Sequence, residues 1–243
     1  MSAERAIAIY DSLLASIGEH AGAIEPRPLV SHWPHVGTNY GGLLIVGQAL
    51  RGWSGHWQTG EASTLEGRRR ILATARADNR DHADPMDWVP AHPKVRNSPF
   101  WIFARHVVEL LAPGSSPWYS RFAWANLYPV APESPPDNPT GPLKEAQDPF
   151  VGLWLLEAGR MLDATRVIVI AGPEYWRAAG NTLDLAVLSR AEKPLMWTGS
   201  ADARTFVVGY HPKWASLNHW GAPAYARIVA SAFAGPSASN IHL

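Results

Sequence analysis

The sequence predicts an α/β fold, a three-layer αβα sandwich around a mostly parallel sheet of about four strands. Short apolar runs of strand length alternate along the chain with longer stretches of helical periodicity. This alternation is typical of parallel sheets, because the crossover between two parallel strands usually contains a helix. The 243 residues contain no polar or low-complexity break, so we expect one domain over residues 1–243.

Composition excludes several classes of protein. The 21 Lys and Arg balance the 21 Asp and Glu, so any nucleic-acid binding must use local charge. The chain has no cysteine, which excludes disulfides, thiolate zinc sites and iron–sulphur clusters. No signal peptide or long apolar segment is present, so we expect a cytoplasmic monomer with no membrane partner. No phosphate loop, dinucleotide fingerprint or zinc helix motif occurs, so we expect neither a cofactor nor a metal.

The first half of the chain is organised around the apolar run Leu43 to Val46. This run predicts a buried parallel strand, and it leads into a turn with glycines at positions 47, 52 and 55. A packing helix is predicted before the strand over residues 3–17, because its apolar residues recur at helical spacing. Residues 61–78 are predicted as a helix after the turn, and residues 79–95 as a loop.

The second half of the chain alternates in the same way. The segment Ser98-Pro99 begins a helix, because serine caps a helix and proline suits its first turn. The pair Asp148-Pro149 predicts another helix start by the same logic. Further strands are predicted at 122–127, 166–172 and 205–209, a rigid proline-rich loop at 129–142, helices at 181–194 and 223–233, and a flexible tail at 235–243.

Polar or small residues stand at the ends of the four predicted strands. Gln48, Asn126, Gly172 and His211 follow these strands directly, and ligands in open α/β sheets bind outside the carboxyl ends of the strands. An amide offers a donor and an acceptor, as reading a nucleobase edge requires, and a histidine can donate to an oxyanion. Each residue also has an ordinary role open to it: a loop cap for the Asn, a surface position for the Gln, and a bond to a core carbonyl for the His.

Four local patterns, in this order, resemble motifs of the uracil-DNA glycosylase superfamily over roughly residues 43–233. They are Leu-Ile-Val-Gly-Gln-Ala from position 44, Asn-Ser-Pro-Phe-Trp from position 97, Trp-Ala-Asn-Leu-Tyr-Pro from position 124, and Tyr-His-Pro-Lys-Trp-Ala-Ser-Leu from position 210. The resemblance implies hydrolysis of the N-glycosidic bond of a deaminated or damaged base that is flipped from DNA. It also implies a DNA partner, single- or double-stranded, or a ligand that contains a nucleobase.

The resemblance also assigns roles to individual residues. His211 would stabilise the leaving base and Gln48 would approach the base or the attacking water. The substrate-binding set that it implies is Phe100 or Trp101 for stacking, Asn126 for the base edge, and Gly47 and Ala49 beside them. The DNA-binding set is Lys213 at a phosphate, Trp214 or Leu217 as a wedge, and Arg51.

The chain departs from the family pattern at Ala49. Many members of the family place Asp or Asn there to orient the attacking water, and a positioned base contributes about 10²–10⁴-fold to the rate. Glu61 or His56, both just past the glycine turn, are the candidates to replace it. Two other functions stay open: a nucleobase-binding or nucleic-acid-binding protein that has lost hydrolysis, and a hydrolase of a free nucleoside.

Overall fold

The computed structural model describes residues 2–49, 55–77, 85–134, 138–182, 195–217 and 221–234. Three sequence predictions fall on the remaining positions. Arg51 lies outside the described residues, as do the tail at 235–243 and most of the predicted helix at 181–194.

The described elements alternate along the chain as the sequence predicts, except that the segment predicted as a loop at 79–95 contains two short helices. The helices are α1 (Ser2–Glu19), α2 (Leu65–Ala77), α3 (Trp88–Ala91), α4 (Pro93–Arg96), α5 (Pro99–Leu111), α6 (Gly141–Met161), α7 (Pro173–Thr182), α8 (Pro212–Leu217) and α9 (Ala222–Ser231). The strands are β1 (Leu29–Ser31), β2 (His35–Val36), β3 (Leu43–Ala49), β4 (Ala123–Tyr128), β5 (Val130–Pro132), β6 (Arg166–Ile170), β7 (Leu195–Ala201) and β8 (Arg204–Gly209). None of the helices within the described ranges is long and apolar enough to cross a membrane.

The main sheet confirms the α/β class and corrects the number of strands. Its order is β2-β4-β3-β6-β8-β7, so six strands stand where the sequence predicts about four. The four predicted strands are the central ones, β4, β3, β6 and β8, and each pairs in parallel with its neighbour. The two additional strands, β2 and β7, pair antiparallel at the edges. Strands β1 and β5 form a separate antiparallel pair, and β5 lies inside the segment predicted as a proline-rich loop.

The edge strand β7 is missed because the turn that joins it to β8 has an unusual sequence. Asp202 and Ala203 both have positive φ, 51° and 59°, as a type I′ hairpin turn requires. Asn-Gly or Asp-Gly is the common signal for that turn, and Ala is rare at positive φ. The Asp202 carboxylate accepts hydrogen bonds from Arg160 Nε at 2.5 Å and Arg204 Nη1 at 2.6 Å, which hold the turn.

Different helices cover the two faces of the sheet. On one face, α5 and α9 pack on strand residues such as Ile168, and Phe103 of α5 is fully buried there. On the other face, Leu155 of α6 and Trp176 of α7 pack around Val169. Successive residues of β6 therefore point to opposite faces, as the pleat of a strand requires, and both faces are apolar.

Helix α6 begins earlier than the sequence predicts. The helix starts at Gly141 after Thr140, and Pro149 lies inside it, although Asp148-Pro149 is predicted as its start. Asp148 instead accepts a hydrogen bond from the Tyr128 hydroxyl at 2.6 Å and pairs with Lys144, one helical turn earlier, at 2.8 Å. Pro149 removes one backbone hydrogen bond from the interior of α6. The contacts of Asp148 and the packing of α6 against α1 offset that loss.

The order of the parallel strands creates a switch point between β3 and β6. The chain leaves β3 toward β4 on one side, and it leaves β6 toward β8 on the other side. In doubly wound sheets the crevice at such a point, outside the carboxyl ends of the strands, is the usual place for a ligand. The residues at the ends of β3 and β6 are therefore the first candidates for a ligand site.

Candidate active site

The ends of the four parallel strands lie side by side at one edge of the sheet. Gly47 is the register partner of Asn126, Gly172 follows β6, and His211 stands two residues after the end of β8. Neighbouring strands are about 4.8 Å apart, so the four strand ends span about 14 Å. The structure thus places these residues along one edge of the sheet, as the sequence predicts, although Gln48 and Asn126 lie inside β3 and β4 and not directly after them.

Gly47, Asn126 and Phe100, which we call the Gly47 cluster, converge where β3 ends. A Cβ atom built on Gly47 would lie 2.9 Å from Asn126 Oδ1 and 3.4 Å from Phe100 Cε2. A contact of 2.9 Å is shorter than real Cβ atoms make, so any larger residue at this position would displace the Asn126 side chain. The amide and the aromatic ring therefore meet next to the bare backbone of β3.

Asn126 holds a polar group that the protein leaves unpaired. The residue is 1% exposed, and its Nδ2 has no hydrogen-bond partner in the described part of the chain. Trp154 Nε1 donates to the Asn126 backbone carbonyl at 3.1 Å, which fixes this residue at the end of β4. An unsatisfied buried donor costs about 1–3 kcal/mol, and a ligand acceptor placed there would remove that cost.

Phe100 and Trp101, both 8% exposed, occupy different surroundings. Phe100 lies in the first turn of α5, where Ser98 is the N-cap residue, and its ring faces Gly47. The ring of Trp101 packs instead against Trp88 and Trp124, at centroid distances of 5.5 and 5.0 Å. Trp101 also lines a cavity of about 300 Å³ on the outer side of α5. Of the two predicted stacking residues, Phe100 is the one in the Gly47 cluster.

Gln48 bridges the switch point. Its Oε1 accepts a hydrogen bond from the Gly172 backbone N–H at 2.8 Å, which ties the end of β3 to the end of β6. This bond fixes which amide atom faces Gly172, so the Nε2 donor points elsewhere. The backbone of Ala49 pairs with Tyr128 of β4, whereas its side chain lies outside what the structure describes.

His211 is held in the tautomer that a hydrogen-bond donor needs. The backbone N–H of Lys213 donates to His211 Nδ1 at 3.3 Å, so the ring proton lies on Nε2. Burial lowers the pKa of His211, and the positive charge of Lys213 lowers it further. A neutral imidazole with its proton on Nε2 can donate to an oxygen atom that gains negative charge.

A buried tyrosine of α9 fixes the backbone just before His211. The Tyr225 hydroxyl donates to the Tyr210 carbonyl at 2.7 Å. The same hydroxyl would collide with a Cβ atom on Gly209, so the chain at the end of β8 passes closer to Tyr225 than any larger residue allows. Sequence patterns pointed to His211 but not to Tyr225, because their contact depends on how α9 packs.

Glu61, the predicted general base, is engaged elsewhere. Its Oε1 accepts a hydrogen bond from the Gln58 backbone N–H at 2.8 Å, and its Oε2 forms an ion pair with Arg70. The alternative candidate, His56, faces Glu133 at 3.3 Å and is half exposed. Both side chains thus serve local interactions between the 3₁₀ helix at 59–63, α2 and the loop after β5.

The predicted DNA contacts lie around α8. Lys213 is exposed, as a phosphate contact requires. The ring of Trp214 stacks on Tyr210 with centroids 4.0 Å apart and an interplanar angle of 20°, so it is packed on the residue before His211. Leu217 ends α8, and its side chain lies outside what the structure describes.

One further carboxylate, that of Glu174, stands at this edge of the sheet. It is not among the residues that directly follow the predicted strands. A Cβ atom on Gly172 would lie 2.6 Å from Glu174 Oε1 and 2.9 Å from its Oε2, so this carboxylate folds back over the glycine. The only signal in the sequence is the short spacing from the strand, since Gly172-Pro173-Glu174 begins two residues after β6.

The described residues contain no group of three or more His, Asp or Glu side chains that could hold a metal ion. The groups that the strand ends offer to a ligand are an unpaired amide donor, an aromatic ring, a neutral histidine and a carboxylate. No protein-family model matches the chain, and no curated protein matches it.

Proposed function

We propose that the protein is a DNA glycosylase that hydrolyses the N-glycosidic bond of a deaminated or damaged base flipped from DNA. The observation that carries the proposal is the Gly47 cluster, in which an unpaired buried amide and an aromatic ring meet at the end of β3. A flat, polar-edged ligand such as a nucleobase suits both groups, because the ring stacks on its face and the amide bonds its edge. The resemblance to the uracil-DNA glycosylase superfamily supports the same function.

In this proposal the base-binding groups and His211 act on different parts of the reaction. Phe100 stacks on the extruded base and Asn126 Nδ2 donates to a base carbonyl. As the glycosidic bond breaks, the electron pair moves to the base, and His211 Nε2–H donates to the oxygen that becomes negative. One such donor contributes about 3–4 kcal/mol to stabilising a transition state.

DNA binding in this proposal depends on local contacts, because the formal net charge of the chain is zero. Lys213 supplies positive charge beside His211. Extruding a base costs a few kcal/mol, which contacts with the pocket and an apolar wedge offset. Trp214 and Leu217 of α8 are the candidates for the wedge, and Trp214 would have to leave its stack on Tyr210 in order to insert.

The proposal is tested with oligonucleotides that carry uracil or hypoxanthine. After incubation with the purified protein, alkali cleaves any abasic site and gel electrophoresis measures the product. We expect the wild type to release a base, and His211→Ala to be slower by at least tenfold and by as much as about 10³-fold. His20→Ala, an exposed histidine at the end of α1, is the matched control and keeps the wild-type rate. No abasic product from either substrate would refute the proposal.

Nucleobase or nucleic-acid binding without hydrolysis is the second candidate. Ala49 favours it, because the family pattern places a water-orienting Asp or Asn at this position. This candidate predicts that an oligonucleotide containing the modified base binds in a fluorescence anisotropy titration while no base is released. Base release at any rate above that of the uncatalysed reaction would exclude it.

A further inference from the structure

Two of the acidic side chains described above already have a cationic partner. Glu61 pairs with Arg70, and Asp148 pairs with Lys144. Glu174 differs, because no Lys, Arg or His within the described ranges forms an ion pair with it. It is also exposed to solvent, where water can reach it.

Glu174 lies over the residue that joins the candidate strand ends. Gly172 donates its N–H to Gln48 at 2.8 Å on one side, and the neighbouring Ala171 N–H donates to the Gly209 carbonyl at 3.2 Å on the other side. His211 follows Gly209 by two residues. The Glu174 carboxylate therefore lies between the end of β3 and the end of β8, at the switch point of the sheet.

The alternation of β6 indicates which face of the sheet this carboxylate is on. Ile168 and Ile170 pack in the same cluster as Phe100, whereas Ala171 packs on the opposite face. Gly172 lies two residues beyond the last residue of β6, and continuing the alternation through Ala171 gives its Cβ the direction of Ile168 and Ile170. Since a Cβ on Gly172 would meet the Glu174 carboxylate, this carboxylate lies on the Phe100 side of the sheet edge.

We propose that Glu174 is the general base that activates the attacking water, in place of the carboxylate or amide missing at Ala49. The inference rests on the proposed glycosylase function. The water oxygen forms a bond to C1′ of the sugar while the water proton passes to the Glu174 carboxylate. The bond between C1′ and the base nitrogen breaks, and its electron pair leaves with the base, which then takes up a proton. The Asn126 donor remains unpaired until the base arrives, which marks the same edge as a ligand site.

The ordinary role for Glu174 is electrostatic, since an acidic side chain near a helix N-terminus stabilises the helix. The test therefore uses a control at another helix start. Glu66 is exposed and lies in the first turn of α2. Single-turnover rates of base release are measured for the wild type, Glu174→Gln, Glu174→Asp and Glu66→Gln, with a thermal melt for each. Glu174→Ala is assayed with and without added formate, a small carboxylate that can take the place of the missing one.

We expect Glu174→Gln to be at least about 10²-fold slower than the wild type. Glu66→Gln keeps the wild-type rate, and Glu174→Asp retains more activity than the Gln variant because it keeps a carboxylate. Formate increases the rate of Glu174→Ala. If Glu174→Gln does not fold, the rate of the Asp variant and the formate response of Glu174→Ala test the role of the carboxylate. Formate would not restore activity that was lost because the protein unfolded.

Three results overturn this inference while the proposed function stands: an active wild type with Glu174→Gln within threefold of its rate, an equal loss in Glu66→Gln, or a Glu174→Ala protein whose rate formate does not increase. A wild type that releases no base refutes the proposed function itself, and the role of Glu174 falls with it.

Discussion

Replacing Gly47 by alanine perturbs the Gly47 cluster with a single methyl group. The new Cβ lies 2.9 Å from Asn126 Oδ1, whereas ordinary contacts begin at 3.4 Å, so Asn126 has to shift by about 0.5 Å. Overpacking of this kind costs about 1–3 kcal/mol of unfolding free energy. In a chain of this size the corresponding loss in Tm is about 2–12 °C.

The effect on base release is expected to exceed the effect on stability. A misplacement on the order of 1 Å costs about 10²-fold in rate, so a smaller shift predicts a loss of at least about tenfold for Gly47→Ala. Differential scanning calorimetry gives the Tm, and single-turnover base release gives the rate. Gly60→Ala is the control, because nothing lies within 4 Å of its added Cβ. A Gly47→Ala protein with the stability and the rate of the wild type would refute the geometry described for this cluster.

Two further predictions concern Tyr225 and the buried histidines. Tyr225→Phe leaves the half-buried Tyr210 carbonyl without its donor, so we expect a loss of about 0.5–1.5 kcal/mol in urea unfolding and slower base release; an unchanged rate would contradict the positioning of His211 by this bond. Burial lowers the pKa of both His32 and His211, so the unfolded state binds more protons below about pH 6.5, and the free energy of unfolding falls as the pH drops from about 7 to 5. Urea unfolding at both pH values measures this decrease in the free energy of unfolding. His32→Phe should reduce the slope of the unfolding free energy against pH, and an unchanged slope would contradict the lowered pKa of His32.

The central strands could be predicted from the sequence because strands buried on both faces consist almost entirely of apolar residues. Strand β6 is sheltered on both faces, so its residues form a continuous apolar run, and the same holds for Leu43 to Val46 in β3. The parallel pairing of β3 and β4 in the structure then places Gly47 beside Asn126. This part of the site followed from local pattern and general topology.

The rest of the fold and site depends on contacts between residues far apart in the chain. Strand β7 was not predicted because its turn uses Asp202 and Ala203 at positive φ, and side-chain bonds from Arg160 support that turn. The start of α6 was misplaced because Pro149 is tolerated inside the helix. Glu61 resembled a free base in the sequence, yet its ion pair with Arg70 is visible only in three dimensions.

The location of Glu174 illustrates the same limit. Its position two residues after Gly172 was visible in the sequence, but the direction of its side chain was not. Only the structure shows the carboxylate folded back over the strand end, next to the backbone N–H that holds Gln48. Side-chain direction in a first helical turn depends on local packing, which a residue pattern does not specify.

The most direct test of the account is a crystal structure of the protein soaked with free uracil. We expect the ring of the base to lie against Phe100, with a uracil carbonyl accepting a hydrogen bond from Asn126 Nδ2. Uracil bound at another place on the protein, with Asn126 Nδ2 still lacking a partner, would contradict it.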